Sequence, residues 1–80
     1  MKLREEIITY IKQNNFVIYN IINDEEFVLN KTAEIIFTNI ELDDYKILNE
    51  IETTFDDVPK NSIEIIQNFK KDLIGRFFYD

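Results

Sequence analysis

The stretch "EFVLNKTAEIIF", residues 26–37, contains a strand pattern and a helix pattern with almost no loop between them. The letters before Asn30 are typical of a short strand, and those after it are typical of a helix. Asn30 is a favourable helix N-cap, because its side chain can accept a hydrogen bond from a free amide of the first turn. The stretch therefore predicts a strand that leads directly into a helix.

Three amphipathic helices are predicted from this point onward, because apolar residues recur at spacings of three and four. Asp43 is a suitable N-cap for the second helix. Pro59 suits the first turn of the third, and Gly75 can end it in a left-handed cap. The three apolar stripes are Ala33, Ile36, Phe37 and Ile40; Ile47, Leu48, Ile51 and Phe55; and Ile63, Ile66, Phe69 and Leu73.

Upstream of residue 26 the sequence predicts two more strands. Residues 7–12 ("IITYIK") and 16–22 ("FVIYNII") are rich in β-branched and aromatic residues, and "QNN" and "NDEE" supply turns. Three strands joined by tight turns form an antiparallel meander. A helix through residues 2–12 is an alternative for the first element. Its apolar face would contain Leu3, Ile7, Tyr10 and Ile11.

The middle and third strands differ in how their faces are expected to be covered. The middle strand carries apolar residues on both faces, so it is predicted to be covered on both. In the third strand Phe27 and Leu29 lie on one side, and Glu26 and Val28 lie on the other. The third strand is therefore predicted to be a half-exposed edge. The whole chain is expected to form one α+β domain, 1–80, in which a three-stranded antiparallel sheet precedes a three-helix bundle.

The composition excludes most familiar catalytic sites. The chain has no cysteine, no histidine and one glycine among its 80 residues. It therefore lacks a thiolate, an imidazole and a glycine-rich phosphate loop. No metal site or cofactor is expected, and an enzyme is the least favoured class.

The net charge of −7 disfavours nucleic acid and anionic membranes as partners. A basic or neutral peptide or protein is compatible with this charge. No apolar run is long enough to span a bilayer, and the first residues mix charges into their apolar pattern, unlike a signal peptide. We therefore expect a cytoplasmic location.

The segment "FVLNKTAEIIF" resembles the strand-to-helix signature of PqqD-like proteins, the coenzyme PQQ synthesis protein D family. The matching positions are Leu29, Asn30, Thr32, Ala33, Ile36 and Phe37, followed by Ile47, Ile51, Phe55, Pro59, Ile66, Phe69 and Leu73. The likeness extends from about Phe16 to Leu73. It departs from the family pattern at "NIELDD", where a glycine is usual, and at Ile65, where an acidic residue is common.

The resemblance implies a winged-helix-like domain known as a RiPP recognition element, which binds the leader segment of a ribosomally made precursor peptide. Such domains present the precursor to a partner, either a modifying enzyme such as a radical SAM enzyme or a leader peptidase. In family members the leader adds as a strand to the third strand and lies beside the third helix. The peptide-binding residues implied here are Glu25, Glu26, Phe27, Val28 and Leu29 of the strand, and Ile65, Ile66, Phe69, Lys70 and Leu73 of the helix.

A second apolar surface is expected from Tyr19, Phe77, Phe78 and Tyr79. Three roles are open for it: covering the outer sheet face, binding a processing enzyme, or supporting a homodimer. Two other functions also remain open for the chain. One is a winged-helix nucleic-acid binder, and the other is an acidic regulatory or antagonist protein that masks a basic target.

Overall fold

The computed structural model describes residues 1–79; Asp80, the last residue of the predicted apolar tail, lies outside this range. The elements are β1 (Lys2–Leu3), β2 (Ile7–Lys12), β3 (Asn15–Asn20), β4 (Glu25–Leu29), α1 (Lys31–Thr38), α2 (Asp44–Thr54), α3 (Ser62–Phe77) and β5 (Phe78–Tyr79). The predicted α+β class is confirmed, with a three-stranded antiparallel sheet followed by three helices.

The sheet has the order β2-β3-β4, and both of its hairpins are antiparallel. Gln13 and Asn14 turn the first hairpin with φ values of 52° and 67°. Two successive positive φ values are typical of a type I′ turn, whose twist matches that of the strands. The prediction of a strand at residues 7–12 is confirmed, and the alternative helix through 2–12 is wrong.

The strand predicted at 16–22 ends two residues early, at Asn20. The Asn20 side chain explains this end, because its Oδ1 accepts hydrogen bonds from the backbone N–H groups of Ile22 (3.0 Å) and Asn23 (3.3 Å). Local bonds of this kind compete with the sheet ladder and favour a turn. Ile21 and Ile22 consequently lie in the turn, 54% and 80% exposed.

The middle strand is covered on both faces, as predicted. Val17 is 1% exposed and Ile18 is 0% exposed, on opposite faces of β3. Ile18 belongs to the main core, whereas Val17 lies on the outer face beside Tyr10 of β2. The Tyr10 hydroxyl donates to Glu26 Oε2 at 2.7 Å, and this bond bridges the outer face from β2 to β4.

Side-chain caps begin the first two helices at the predicted residues. Asn30 Oδ1 accepts from Ala33 N, and Asp43 Oδ1 accepts from Lys46 N, both at 2.9 Å. Each bond satisfies an amide that has no partner within its helix. The strand-to-helix join predicted at Asn30 is therefore present.

The bounds of α3 differ from the prediction at both ends. The helix begins at Ser62, so Pro59 precedes it rather than lying in its first turn; the Pro59 carbonyl accepts from Ser62 N–H at 3.2 Å. Gly75 does not end the helix, which continues to Phe77. The two added residues carry Phe77 into the core, where it is 4% exposed. Burial of a large aromatic side chain outweighs the cost of a glycine inside a helix.

The ends of the chain pair with each other, which the sequence pattern does not predict. β1 and β5 form a two-stranded ribbon in which Leu3 lies opposite Phe78. The backbone N–H of Arg4 also donates to the Phe77 carbonyl at 2.9 Å. The expected second apolar surface is thus wrong for Phe77 and Phe78, which are core residues at 4% and 9% exposure.

Aromatic rings connect the sheet to the helices. Phe37 of α1 lies 5.5 Å from Phe16, 6.4 Å from Phe77 and 5.3 Å from Phe78, measured between ring centroids. Phe27 of β4 meets Phe77 edge to face at 5.2 Å. Tilted and edge-to-face pairs at these separations are favourable. They hold β4 against the C-terminal end of α3.

Within residues 1–79, no helix is long and apolar enough to cross a membrane. The same residues contain no cluster of three or more acidic side chains arranged to hold a metal ion.

Candidate functional site

β4 is an edge strand of the sheet, and its backbone has one free side. β3 occupies its other side, and no other segment of residues 1–79 pairs with it. The directions of the N–H and C=O groups of β4 can be derived from the pairing of β2 with β3. Ile21 N–H donates to the Glu6 carbonyl at 2.9 Å, and this bonded pair continues the β2–β3 register. Antiparallel ladders alternate between bonded and non-bonded pairs. Odd-numbered residues of β3 therefore bond to β2, and even-numbered residues bond to β4.

The same alternation assigns the backbone groups of β4. Glu25, Phe27 and Leu29 lie opposite even-numbered residues of β3 and bond to them. Glu26 and Val28 direct their N–H and C=O groups away from the sheet. We call these outward groups of Glu26 and Val28 the β4 edge.

The side chains of β4 are divided between the two faces of the sheet, as predicted. Phe27 and Leu29 are half-buried and pack against the core. Val28 is 57% exposed on the outer face. The core contacts of Phe27 and Leu29 fix the position of the strand while the β4 edge stays accessible.

The two glutamates of β4 already have partners within the sheet. Glu25 Oε1 accepts from the Asn23 side-chain amide at 2.7 Å. Glu26 Oε2 accepts from the Tyr10 hydroxyl and lies 3.8 Å from Lys12 Nζ. The bond to Glu26 is the main reason that the pKa of Tyr10 is raised above its usual value. The Glu25 contact lies within the β3–β4 hairpin, the Glu26 contacts cross the sheet from β2 to β4, and both leave the backbone of Glu26 free.

One stripe of α3 contains Arg76, whose side chain approaches a side chain of β4. Arg76 lies with its guanidinium carbon 6.0 Å from the centre of the Phe27 ring, at the limit of a cation–π contact. Residues four, seven and eleven positions before Arg76 share its face of the helix. We call this stripe, Ile65, Phe69, Asp72 and Arg76, the α3 wall. Phe69 is 38% exposed and gives the α3 wall a large apolar side chain at the surface.

Arg76 and Asp72 were not predicted as site residues. Arg76 Nε lies 3.2 Å from Asp72 Oδ1, so the two charges pair along the exposed side of the α3 wall. The sequence spacing could have predicted that Arg76 shares a helix face with Phe69, because the two are seven residues, or two helical turns, apart. The error in placing the end of α3 at Gly75 had removed Arg76 from the helix.

The other three predicted α3 residues do not line the surface beside β4. Ile66 and Leu73 are 1% and 4% exposed and belong to the core behind the α3 wall. Lys70 lies on a different face, where its Nζ donates to the Leu42 carbonyl (2.6 Å) and to Asp44 Oδ1 (3.0 Å). The Lys70 contact is the main reason that the pKa of Asp44 is lowered. Lys70 therefore joins α3 to the start of α2.

A pocket of about 210 Å³ lies at the N-terminal end of α3, where α1 begins. It was not predicted. Its apolar walls come from the end of α2, the α2–α3 loop and α3. The lining residues are Thr32, Ile51, Phe55, Asp57, Val58, Pro59, Ser62, Ile65 and Ile66. We call it the loop pocket.

A wider hollow of about 590 Å³ lies near the β2 edge of the sheet, between Thr9 of β2 and the C-terminal end of α1. None of the residues found to line it belongs to β4 or α3. It is therefore separate from the β4 edge.

The arrangement around β4 is suited to binding an extended chain. Unpaired N–H and C=O groups on a sheet edge can be satisfied by a strand that adds to it. The half-exposed apolar side chains beside the edge, Phe69 above all, can contact alternate side chains of such a strand.

Comparison with known proteins gives one informative match. No family model matches the sequence, and no curated protein matches it. A solved structure described as "TbiB1 in Complex with the TbiA(beta) Leader Peptide" is similar, with a TM-score of 0.70 over 100% of this chain and 100% of that chain. The two sequences are 14% identical. At this identity the likeness shows a shared fold, and that protein was solved bound to a leader peptide.

Proposed function

We propose that this chain is a non-catalytic, PqqD-like recognition element that binds the leader segment of a ribosomally synthesised precursor peptide. The observation that carries the proposal is the β4 edge, a rigidly held strand with outward backbone groups at Glu26 and Val28. The leader would add to this edge as a fourth strand and rest its alternate side chains against the α3 wall. The fold shared with a leader-bound protein supports the same reading.

We expect one binding direction for the leader along β4. Antiparallel pairs are slightly more stable per residue than parallel ones, so we expect the leader to run antiparallel to β4. Phe27, in the middle of β4, packs on Phe77 at the C-terminal end of α3. Beyond the end of β4, Thr32 lines a pocket together with Ile65, which is near the start of α3. The N-terminal part of the leader would therefore lie near the start of α3, and its C-terminal part near Arg76.

The bound chain would then present its precursor to a modifying enzyme or a leader peptidase. The composition supports a non-catalytic role, because histidine and cysteine are absent from the sequence. The net charge of −7 favours a peptide partner over nucleic acid.

The test is titration of the protein with leader segments of precursor peptides encoded beside its gene, followed by fluorescence anisotropy. We expect Val28→Pro to weaken binding more than tenfold, because proline removes an outward N–H and places its ring on the edge. Circular dichroism should show unchanged helices, since the Val28 amide does not bond to β3.

Ile11→Pro is the matched control. Ile11 lies in the opposite edge strand, is 63% exposed, and has an outward amide by the same alternation. It should leave leader affinity unchanged. Equal affinity of the Val28→Pro variant and the wild type would show that the β4 edge is not the binding site, and absence of binding to every neighbouring leader would contradict the function.

A further inference from the structure

We infer that the turn between β3 and β4 is the docking surface for the enzyme that modifies or cleaves the bound precursor. Two exposed residues of this turn, Ile21 and Ile22, make the contact, and we call them the tip isoleucines. The inference rests on the proposed function. It concerns a surface distinct from the β4 edge and the α3 wall, and it names the part of the protein that meets the partner.

The tip isoleucines are exposed where the fold does not need them. Ile21 is 54% exposed and Ile22 is 80% exposed, and neither is among the residues found to form the core or to pack against it. β-branched residues favour strands, and an isoleucine side chain can donate or accept no hydrogen bond in a turn. The two side chains therefore leave an apolar surface available to a partner.

Polar neighbours hold the turn in one conformation. Besides the bonds to the Asn20 side chain described above, the Asn20 carbonyl accepts from Asp24 N–H at 2.9 Å. The Tyr19 hydroxyl donates to the Asp24 carboxylate, and Asn23 Oδ1 accepts from Glu25 N–H at 3.1 Å. A surface that is ordered before binding loses little conformational entropy when a partner docks.

The turn lies where the bound precursor leaves the β4 edge. β4 begins at Glu25, directly after the turn. A leader that runs antiparallel to β4 therefore has its C-terminal end beside the tip isoleucines. Because the leader precedes the segment that is modified, that segment continues from this end of β4. An enzyme docked on the tip isoleucines would have its substrate close at hand.

The charges around the turn define the chemistry of the partner surface. Glu6 is bonded through its carbonyl to Ile21 N–H, and Asp24 and Glu25 follow the tip isoleucines in the chain. None of these three carboxylates forms an ion pair with a basic group of residues 1–79. The complementary surface is an apolar socket with a basic rim.

The experiment measures the affinity of the full chain for the purified modifying enzyme or leader peptidase encoded beside its gene, by biolayer interferometry with and without leader. The test variant carries both Ile21→Ser and Ile22→Ser. We expect it to bind the enzyme about tenfold more weakly or worse, because two apolar contacts at the centre of the interface are lost. Its leader affinity, measured by fluorescence anisotropy, should be unchanged.

Ile11→Ser is the matched control. Ile11 is 63% exposed and precedes the β2–β3 turn, at the opposite end of the strands from the tip isoleucines. This variant should keep wild-type affinity for both enzyme and leader. Circular dichroism checks the fold of each variant, and Ile22→Ser alone repeats the measurement if the double variant does not fold.

Salt dependence tests the basic rim. High salt should weaken the complex of the wild type with the enzyme, because it screens exposed charges. A complex whose affinity does not change with salt would contradict a basic rim around the socket.

The outcomes separate this inference from the proposed function. Equal enzyme affinity of the double variant and the wild type overturns the docking surface, while leader binding stands. If no neighbouring leader binds, the proposed function is wrong, and loss of enzyme affinity in the double variant alone still supports the docking surface. Absence of enzyme binding to the wild type overturns the docking surface.

Two other occupants are tested with the same variants. Sedimentation velocity measures self-association, and flotation with phosphatidylcholine vesicles measures lipid binding. If the tip isoleucines are required for either of these and not for enzyme binding, a second copy of the chain or a lipid surface covers them, and the inference is wrong.

Discussion

Asn30 joins the strand and helix of the opening sequence through a single side chain. Its Oδ1 accepts from the Ala33 amide at 2.9 Å, and its backbone conformation is extended, with φ −72° and ψ 173°. The residue therefore continues the strand direction and still caps α1. Asn61 occupies the corresponding position before α3 but makes no side-chain cap bond. Substituting each asparagine in turn therefore separates the effect of the cap bond from that of the residue type.

Asn30→Ala should lower the free energy of unfolding by about 1 kcal/mol, because it leaves a first-turn amide of α1 without its partner. Asn61→Ala should cost only a few tenths of a kcal/mol, since no cap bond is lost. Urea denaturation followed by circular dichroism measures both. Equal losses would contradict a capping role for Asn30.

At the residue scale, two neighbouring residues of α3 face different parts of the molecule, and the sequence pattern does not predict which part each one faces. Phe69 and Lys70 are adjacent in sequence and about 100° apart around the helix. Phe69 lies on the α3 wall, whereas Lys70 binds Leu42 and Asp44 on the side toward α2. Which side of a helix faces which neighbour depends on packing against α1 and α2. Lys70 was predicted to lie beside β4 because the sequence does not reveal how α3 packs against α1 and α2.

At the element scale, α3 is longer than its sequence predicts. Gly75 is typical of a helix end, yet it lies within the helix at a negative φ. The helix continues because Phe77 and Phe78 are buried among Phe27 and Phe37. Intrinsic preference at one position is worth about 1 kcal/mol, and burial of one aromatic side chain is worth more.

Gly75→Ala should raise the free energy of unfolding by about 0.5–1 kcal/mol, because alanine favours helix and restricts the unfolded chain. Nothing lies within 4 Å of a Cβ added at this position, so no clash opposes the gain. Equilibrium urea unfolding tests the change. Destabilisation would indicate the left-handed cap that the sequence pattern predicted.

At the scale of the whole molecule, the β1–β5 ribbon joins the two ends of the chain beside the core. Phe78 is 9% exposed and lies 5.3 Å from Phe37, whereas its neighbour Tyr79 is 36% exposed. A domain of 80 residues buries a modest share of its surface. One aromatic contact near the termini is therefore a substantial part of its stability.

Phe78→Ala should lower the free energy of unfolding by about 3 kcal/mol, through lost burial and the cavity left behind. Tyr79→Ala, in the same ribbon, should cost less than Phe78→Ala, because Tyr79 is 36% exposed and Phe78 only 9%. Thermal and urea unfolding measure the difference. Equal losses in the two variants would contradict a special contribution of Phe78 to the core.

The local features of this protein were determined by its sequence. Helix stripes, the caps at Asn30 and Asp43, the turns and the alternation in β4 are short-range patterns, and each is decided by residues within a few positions of one another. The tertiary structure decided everything that depends on contacts between distant residues. These features are the β1–β5 ribbon, the extension of α3 past Gly75, the placement of Arg76 over Phe27, and the loop pocket. Each brings together segments far apart in the chain, and only their packing defines which surfaces meet.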